Sequence, residues 1–357
     1  MIQQDPKFLI VKTSSLGDII HTFPVISYLK NKFTNCRIDW VVESPFAELL
    51  LAHPDIQTVF TIDSKKWRKS PLAKKNWREY LAFRKSVQKN VYDYVFDLQG
   101  NVKSSLILAS LRAKNKVGFG KKSVPEWPNL FFTNLRFNPS PGKNIREDYL
   151  SIVQSAFNDR SMALPTEQVI LKNDPIEMRR VDEMVDSYKR PLILVCPSTR
   201  WPNKELSYTS LLSFLEQLIQ DCDPHFLFSW GSEKERELSS ALHAKFENRS
   251  SILPYLKLPL LHYLMGRVDL LVAMDSLPLH LCGTTQTKTL TFFGPSSPLK
   301  YRPLGANHRS LWGECPYKKK FEKRCPLLRS CKTGACLKAL PTQSVGEMCK
   351  SLDWKKK

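Results

Sequence analysis

Short apolar runs alternate along this chain with stretches whose apolar positions recur every three or four residues. Phe8-Leu9-Ile10-Val11 is a run that reads as a buried strand, and Ile19, Ile20, Phe23, Ile26, Leu29 and Phe33 then fall on one helical face. The pattern continues with strands at 37–42, 58–62 and 92–97, a short helix near 46–51, a helix through Leu106, Leu108 and Leu111, and a short strand at 117–119. A loop rich in Asn, Pro, Ser and Gly covers 138–145, a helical pattern passes through Ile152, Val153 and Phe157, and residues 158–190 turn polar and charged. The alternation then restarts. Strands are expected at 192–196, 225–228, 269–273 and 289–293, with a helix through Leu211, Leu215, Leu218 and Ile219 and a charged helix from about Glu233 to Phe246.

Strand–helix alternation of this kind builds a parallel sheet with helices on both faces. A chain of 357 residues exceeds the size at which single cores stop growing. The expected fold class is therefore α/β, with two Rossmann-like doubly wound parallel-sheet domains. The expected boundaries are 1–165 for the first domain, 166–187 for a linker, 188–340 for the second domain, and 341–357 for a C-terminal helix packing back on the first.

In such folds ligands sit beyond the carboxyl ends of the strands. Asp18 lies there, on the first helical turn after the strand at 8–11. The helix N-terminus favours its ionised form, so it is either a general base or simply a cap. Ser198 and Thr199 end the strand at 192–196, with Lys204 shortly beyond. Two hydroxyls and an ammonium suit the growing charge of a diphosphate leaving group, or are a strand-end pair and a surface lysine. Asp275-Ser276-Leu277-Pro278-Leu279-His280 puts a carboxylate and an imidazole at the next strand end, within reach of one bound sugar phosphate. Asp221-Cys222-Asp223 has the form of an Asp-x-Asp metal motif but falls at the opposite, amino-terminal edge, so it is read as a turn and no metal is expected.

Charge changes the picture of the partners. The 54 basic and 34 acidic residues give a net charge of +20, which implies polyanions: nucleic acid, an anionic membrane face or phosphorylated substrates. Much of the excess lies at 64–78, a basic loop interleaved with Trp67 and Trp77, a mixture used by nucleic-acid readers and by lipid-surface segments alike, or merely a solvated loop and helix face. No window reaches the 18 or so apolar residues of a spanning helix, and no secretory signal opens the chain, so a cytoplasmic location is expected. Cys36, Cys196, Cys222 and Cys282 accompany apolar segments and read as reduced core fillers. Cys315, Cys325, Cys331 and Cys336 crowd into a basic tail without a close Cys-x2-Cys pair, and metal, disulfides and free thiols all remain open.

The stretch Lys12-Thr13-Ser14-Ser15-Leu16-Gly17-Asp18, followed by His21-Thr22-Phe23-Pro24, resembles the N-terminal signature of the lipopolysaccharide heptosyltransferases of glycosyltransferase family 9, above all their heptosyltransferase I branch. The similarity continues in family order through Asp39-Trp40-Val41-Val42-Glu43, Lys65-Lys66-Trp67-Arg68-Lys69, Asp97-Leu98-Gln99-Gly100 with Lys103, Ser198-Thr199-Arg200, Trp230-Gly231, and Asp275-Ser276 with His280. The resemblance implies a GT-B architecture, two such domains facing a central cleft. It implies inverting transfer of L-glycero-D-manno-heptose from ADP-heptose to the Kdo region of Kdo-lipid A. Asp18 would be the catalytic base. Ser198, Thr199, Lys204, Glu235, Leu256, Asp275, Ser276, Leu277 and His280 would bind the donor, with Glu235 on the ribose and Leu256 beside the adenine. Lys65, Lys66, Arg68, Lys69 and Lys103 would bind the acidic acceptor. It implies no cofactor beyond the donor substrate, no nucleic acid, and a peripheral position on the anionic inner face of the cell membrane. Three departures stand out: Ser198 where the family has a threonine, Leu277 where it usually has glycine, and an Arg–Lys spacing one residue longer before Lys204. A related heptosyltransferase with another acceptor or sugar, a nucleic-acid-binding protein, and an inactive GT-B scaffold are the alternatives.

Overall fold

The computed structural model describes residues 5–70, 72–161, 168–338 and 340. The chain divides after Lys172 into two compact units. The first is built on strands β1 (Lys7–Val11), β2 (Arg37–Glu43), β3 (Thr58–Ile62), β4 (Tyr92–Asp97), β5 (Ala113–Phe119) and β6 (Leu135–Phe137). They form one sheet in the order β3-β2-β1-β4-β5-β6, and every neighbouring pair is parallel. Its helices are α1 (Leu16–Ile20), α2 (Phe23–Lys32), α3 (Ala47–Leu51), α4 (Ser64–Lys69), α5 (Lys74–Val87), α6 (Val102–Ala109) and α7 (Ile145–Ala156), with a 3-10 turn at Trp127–Phe132.

The second unit repeats the plan with β7 (Leu192–Cys196), β8 (His225–Phe228), β9 (Ser250–Ile252), β10 (Leu270–Met274), β11 (Lys288–Phe293) and β12 (His308–Trp312). Its order, β12-β11-β10-β7-β8-β9, is that of the first sheet read from the other edge, again all parallel. Its helices are α8 (Pro175–Asp186), α9 (Tyr208–Cys222), α10 (Glu233–His243), α11 (Leu258–Met265), α12 (Leu277–Cys282), α13 (Pro298–Tyr301) and α14 (Ala335–Lys338). Both sheets are therefore doubly wound. Each reverses direction once, between β1 and β4 in one unit and between β7 and β10 in the other, which is where such sheets receive ligands. The central strands owe their position to their sequence: β7 and β10 are apolar throughout and buried along their length, as a strand covered on both faces must be.

Two expectations change. The stretch at 64–78 is not a loop but α4 and the start of α5, because its lysines and arginines are good helix formers. The second half of the 166–187 linker is α8, opened by an Asp174 cap and holding Val181 and Val185 buried within the second unit. Strands β6, β9 and β12 were not legible, being short or polar, without a continuous apolar run. The helix expected over 341–357 lies outside the described residues.

Candidate functional site

The turn after β1 is held from β4. Gln99 Oε1 accepts from the Thr13 N–H at 3.0 Å, the Thr13 hydroxyl at 3.2 Å and the Ser14 N–H at 3.2 Å. Gln99 is itself fixed by Asp97. That carboxylate accepts from the N–H groups of Gln99 and Gly100, each at 3.0 Å, from Ser104 Oγ at 2.7 Å and from Asn129 Nδ2 at 2.6 Å. Burial raises the Asp97 pKa, and these four donors pull against that rise. Gly100 completes the turn at φ +70°, where a Cβ would also stand 2.7 Å from Pro125. Beneath, the buried Lys12 ammonium donates to the Leu98 carbonyl and to the Tyr149 hydroxyl, each at 2.8 Å.

On this platform α1 begins. Asp18 is half-buried in its first turn, and Asp18 Oδ2 accepts from the Ser15 N–H at 3.1 Å and the Ser15 hydroxyl at 2.8 Å. The carboxylate thus caps the helix while the helix N-terminus favours its charge. The two readings of Asp18 coexist in one geometry, since a cap bond through one oxygen is compatible with proton acceptance. His21, the neighbouring alternative base, is only 2% exposed.

The five residues read as acceptor ligands fall into two groups. Lys65, Arg68 and Lys69 are exposed on α4. Lys66 pairs with Glu79 of α5 at 2.6 Å, and Trp67 Nε1 donates to the same carboxylate at 3.3 Å; these hydrogen bonds hold the Glu79 pKa below its ordinary value. Lys103 Nζ donates to Glu43 Oε1 at 2.9 Å and reaches Ser14 Oγ at 3.5 Å. Glu43, buried at the end of β2, also accepts from the N–H of Ser64 at 3.1 Å and from its hydroxyl. A chain of contacts, Ser14–Lys103–Glu43–Ser64, therefore joins the turn bearing Asp18 to the start of α4. Sequence reasoning missed the roles of Glu43 and Gln99. The available signal was their position, since each ends or directly follows a strand at the same edge as Asp18.

In the second unit the candidate donor residues lie beyond successive strand ends. Asp275, after β10, is buried and forms an ion pair with Lys204, which sits in the Pro202–Lys204 turn after β7; Lys204 Nζ also reaches the Asp275 carbonyl at 3.4 Å. Ser296, after β11, donates its hydroxyl to the same carboxylate, and His280 Nε2 lies 3.4 Å from Asp275 Oδ1. Burial pushes the Asp275 pKa up, but the Lys204 charge and His280 outweigh it and leave the carboxyl below the ordinary range. Ser276 opens α12, in which Pro278 has no N–H to offer a ligand and Leu277 is half-buried.

Ser198 is half-buried beyond β7. The Thr199 hydroxyl is occupied within its own turn, donating to the Trp201 carbonyl at 2.7 Å and accepting from the Trp201 N–H at 2.9 Å. Glu235 differs from its acidic neighbours. Glu233 and Glu237 are exposed, whereas Glu235 is half-buried and accepts from the Gly231 N–H at 2.7 Å beyond β8. Leu256 follows β9 and is half-buried. Nearby, Trp230 donates to the Leu253 carbonyl at 2.8 Å and its ring lies 5.8 Å from that of Tyr255.

The Asp-x-Asp stretch is not a turn but the end of α9: Asp221 and Cys222 are its last helical residues, and Asp223 is its left-handed C-cap, at the amino edge of β8, paired with Lys189 and with Arg249, the latter at 2.5 Å. Cys315, Cys325, Cys331 and Cys336 line one cavity behind the Lys204 turn, which they share with Asn203, and all are free thiols. Burial raises the Cys336 pKa to about 11, and the other three cysteines add to the rise. Among the described residues no group of three His, Cys, Asp or Glu side chains is arranged to hold a metal ion.

A family model described as glycosyltransferase family 9 (heptosyltransferase) matches residues 80–330. The chain is 26% identical over 321 residues to lipopolysaccharide heptosyltransferase 1 of Pseudomonas aeruginosa, covering 89% of this chain and 87% of the relative. It is 27% identical to lipopolysaccharide heptosyltransferase 1 of Campylobacter coli, covering 81% and 84%. Among solved structures it is similar to E. coli heptosyltransferase WaaC with ADP, at a TM-score of 0.75 and 20% identity over 96% of this chain and 99% of that one. E. coli ADP-heptose lps heptosyltransferase II follows at a TM-score of 0.71 and 18% identity, over 96% and 97%. The likeness establishes the GT-B fold.

Proposed function

The chain belongs to glycosyltransferase family 9, and from that premise we propose that it transfers L-glycero-D-manno-heptose from ADP-heptose to the Kdo region of Kdo-lipid A, with inversion at the anomeric carbon. The observation that carries the donor half is the order of residues along the second sheet. Across β9, β8, β7 and β10 the strand ends present, in turn, the Leu256 segment, Glu235, the Ser198–Lys204 turn and the Asp275–His280 segment. That is the order of parts in a nucleotide sugar: base, ribose, diphosphate, sugar. In this reading Leu256 lies beside the adenine, Glu235 accepts from the ribose hydroxyls, Ser198 and Lys204 bind the diphosphate, joined by Thr199 once its hydroxyl turns from the Trp201 carbonyl, and Asp275, Ser276, Leu277 and His280 hold the sugar phosphate.

The first unit binds the acceptor, through Lys65, Arg68 and Lys69 directly and through Lys66 and Lys103 as charged supports. Asp18 takes the proton of the attacking hydroxyl, the acceptor oxygen bonds to the anomeric carbon, and ADP leaves with the bonding pair. Lys204 and the hydroxyls stabilise the growing diphosphate charge, so the reaction needs no metal. A lipid-borne acceptor requires the enzyme to work at a membrane surface, which is read as the inner, cytoplasmic face. No helix among the described residues is long and apolar enough to cross it.

Incubation with ADP-heptose and Kdo-lipid A is expected to add one heptose by mass spectrometry, with activity undiminished by EDTA. An unchanged acceptor, or activity lost to chelator and restored by magnesium or manganese, overturns the reading. Replacing Lys65, Arg68 and Lys69 by glutamate is expected to raise the acceptor KM at least tenfold while the donor KM holds, and the wild-type acceptor KM should rise with ionic strength because exposed charges are screened. Equal damage to both substrates would make α4 structural rather than acceptor-binding.

A further inference from the structure

We infer that the outer face of α5, continued by α6 and the 127–132 turn, is a docking surface for an anionic lipid bilayer. The inference rests on the reading of a lipid-borne acceptor and deepens it by assigning the contact to particular residues.

Between Ser64 and Asn90 the sequence carries ten lysines and arginines against one acid, Glu79. On α5 these charges share a face with apolar side chains. Lys74, Trp77, Arg78, Leu81 and Lys85 recur at three- and four-residue spacing, so they form one stripe. Asn76, Phe83 and Val87 occupy the opposite, buried face. Phe83 and Val87 share a core cluster with Ile107 and Leu108 of α6, and Phe132 packs against it, so α5, α6 and the 127–132 turn cover the same side of the sheet. Tyr80 and Ser110 hydrogen-bond at 2.8 Å between α5 and the end of α6, and Asn129 Nδ2 donates to Ser105 Oγ at 3.1 Å between the turn and α6.

Away from that core the three elements leave large apolar side chains in water. Trp77, Leu81, Leu106, Trp127 and Phe131, with Leu72 just ahead of α5, are between 53% and 91% exposed. The Trp127 and Phe131 rings also lie 5.3 Å apart, so part of this surface is already assembled. Large apolar side chains exposed together on elements that cover one side of a sheet are a candidate interaction site. Its chemistry selects the partner. Aromatics among lysines suit stacked bases as well as lipid, but Leu72, Leu81 and Leu106 have no stacking role and no apolar phase to enter on a nucleic acid. On a bilayer both components are used: the cations meet anionic headgroups, and tryptophan and leucine enter the headgroup–acyl boundary.

The test uses the full chain and vesicles containing no saccharide acceptor, so it is independent of catalysis. The protein is expected to float with vesicles of phosphatidylglycerol and phosphatidylcholine, not with phosphatidylcholine alone, and to be released by salt. W77S/L81S and K74E/R78E/K85E are each expected to lose tenfold or more in vesicle affinity. Bromine-labelled acyl chains should quench wild-type tryptophan fluorescence, and W77F should lose much of that quenching. Transfer to a deacylated, soluble Kdo acceptor should be unchanged in W77S/L81S; that assay alone reports on the heptosyltransfer reading. Wild-type protein that ignores anionic vesicles, variants that bind them as wild type, or a single-stranded oligonucleotide that displaces the protein from them would each overturn the proposal.

Discussion

Asp18→Asn is expected to lower kcat by about 10²–10⁴-fold, the usual worth of general-base catalysis. A sugar hydroxyl is a poor nucleophile until its proton is taken in the transition state, and Asp18 is an ionisable, half-buried carboxylate at the ligand edge of the first sheet. The asparagine keeps the side-chain oxygen that accepts from the Ser15 N–H and hydroxyl, so the cap survives while the basicity is lost. Donor affinity and Tm should therefore stay near wild type. His21→Ala should not reproduce the kinetic signature, because that ring is buried; its cost should appear as stability. Near-normal kcat in Asp18→Asn would reduce the carboxylate to a cap.

Much of this was legible in the sequence for a physical reason. Central strands such as β1, β7 and β10 are buried on both faces, so each writes itself as an unbroken apolar run. The residues that follow them are polar and small, and the fold class says that ligands meet those ends. Asp18, Lys204 and Asp275 were singled out as candidates that way. What was not legible depends on contacts between distant segments. Nothing local to Glu43 says that it ties Lys103 to Ser64, and nothing local to Gln99 says that its amide oxygen gathers the Thr13–Ser14 turn. Ser296 reaches Asp275 only because β10 and β11 are neighbours. At 64–78 few apolar residues recur to mark a helical face, so α4 and the start of α5 rest on the propensity of their lysines and arginines and do not announce themselves by period.

Lys204→Met should be the most costly substitution in the second unit, for two separable reasons. Asp275 is buried, and without Lys204 its charge would keep, among the described residues, His280 and Ser296 as partners. Removing one member of a buried ion pair costs about 3–5 kcal/mol, a large part of the 5–15 kcal/mol that holds a typical protein together. The pH dependence identifies the cause. In the wild type the Asp275 pKa is depressed, so its stabilisation is fully present above the unfolded value of about 3.9 and is lost as pH falls further. In Lys204→Met burial dominates and raises that pKa instead, so the variant is relieved as the carboxylate takes up a proton. The gap in Tm between the two proteins should therefore be widest at neutral pH and shrink on acidification; a constant gap would mean lost packing rather than a stranded charge. The second reason is the ligand. An ammonium has three donors, and in this structure Asp275 takes two of them, through its carboxylate and its carbonyl. The third can meet a diphosphate oxygen without breaking the pair. ADP affinity should accordingly fall at least tenfold in Lys204→Met under conditions where the variant remains folded, and Lys204→Arg should recover part of it. Unchanged ADP affinity would leave Lys204 as a structural partner of Asp275 alone.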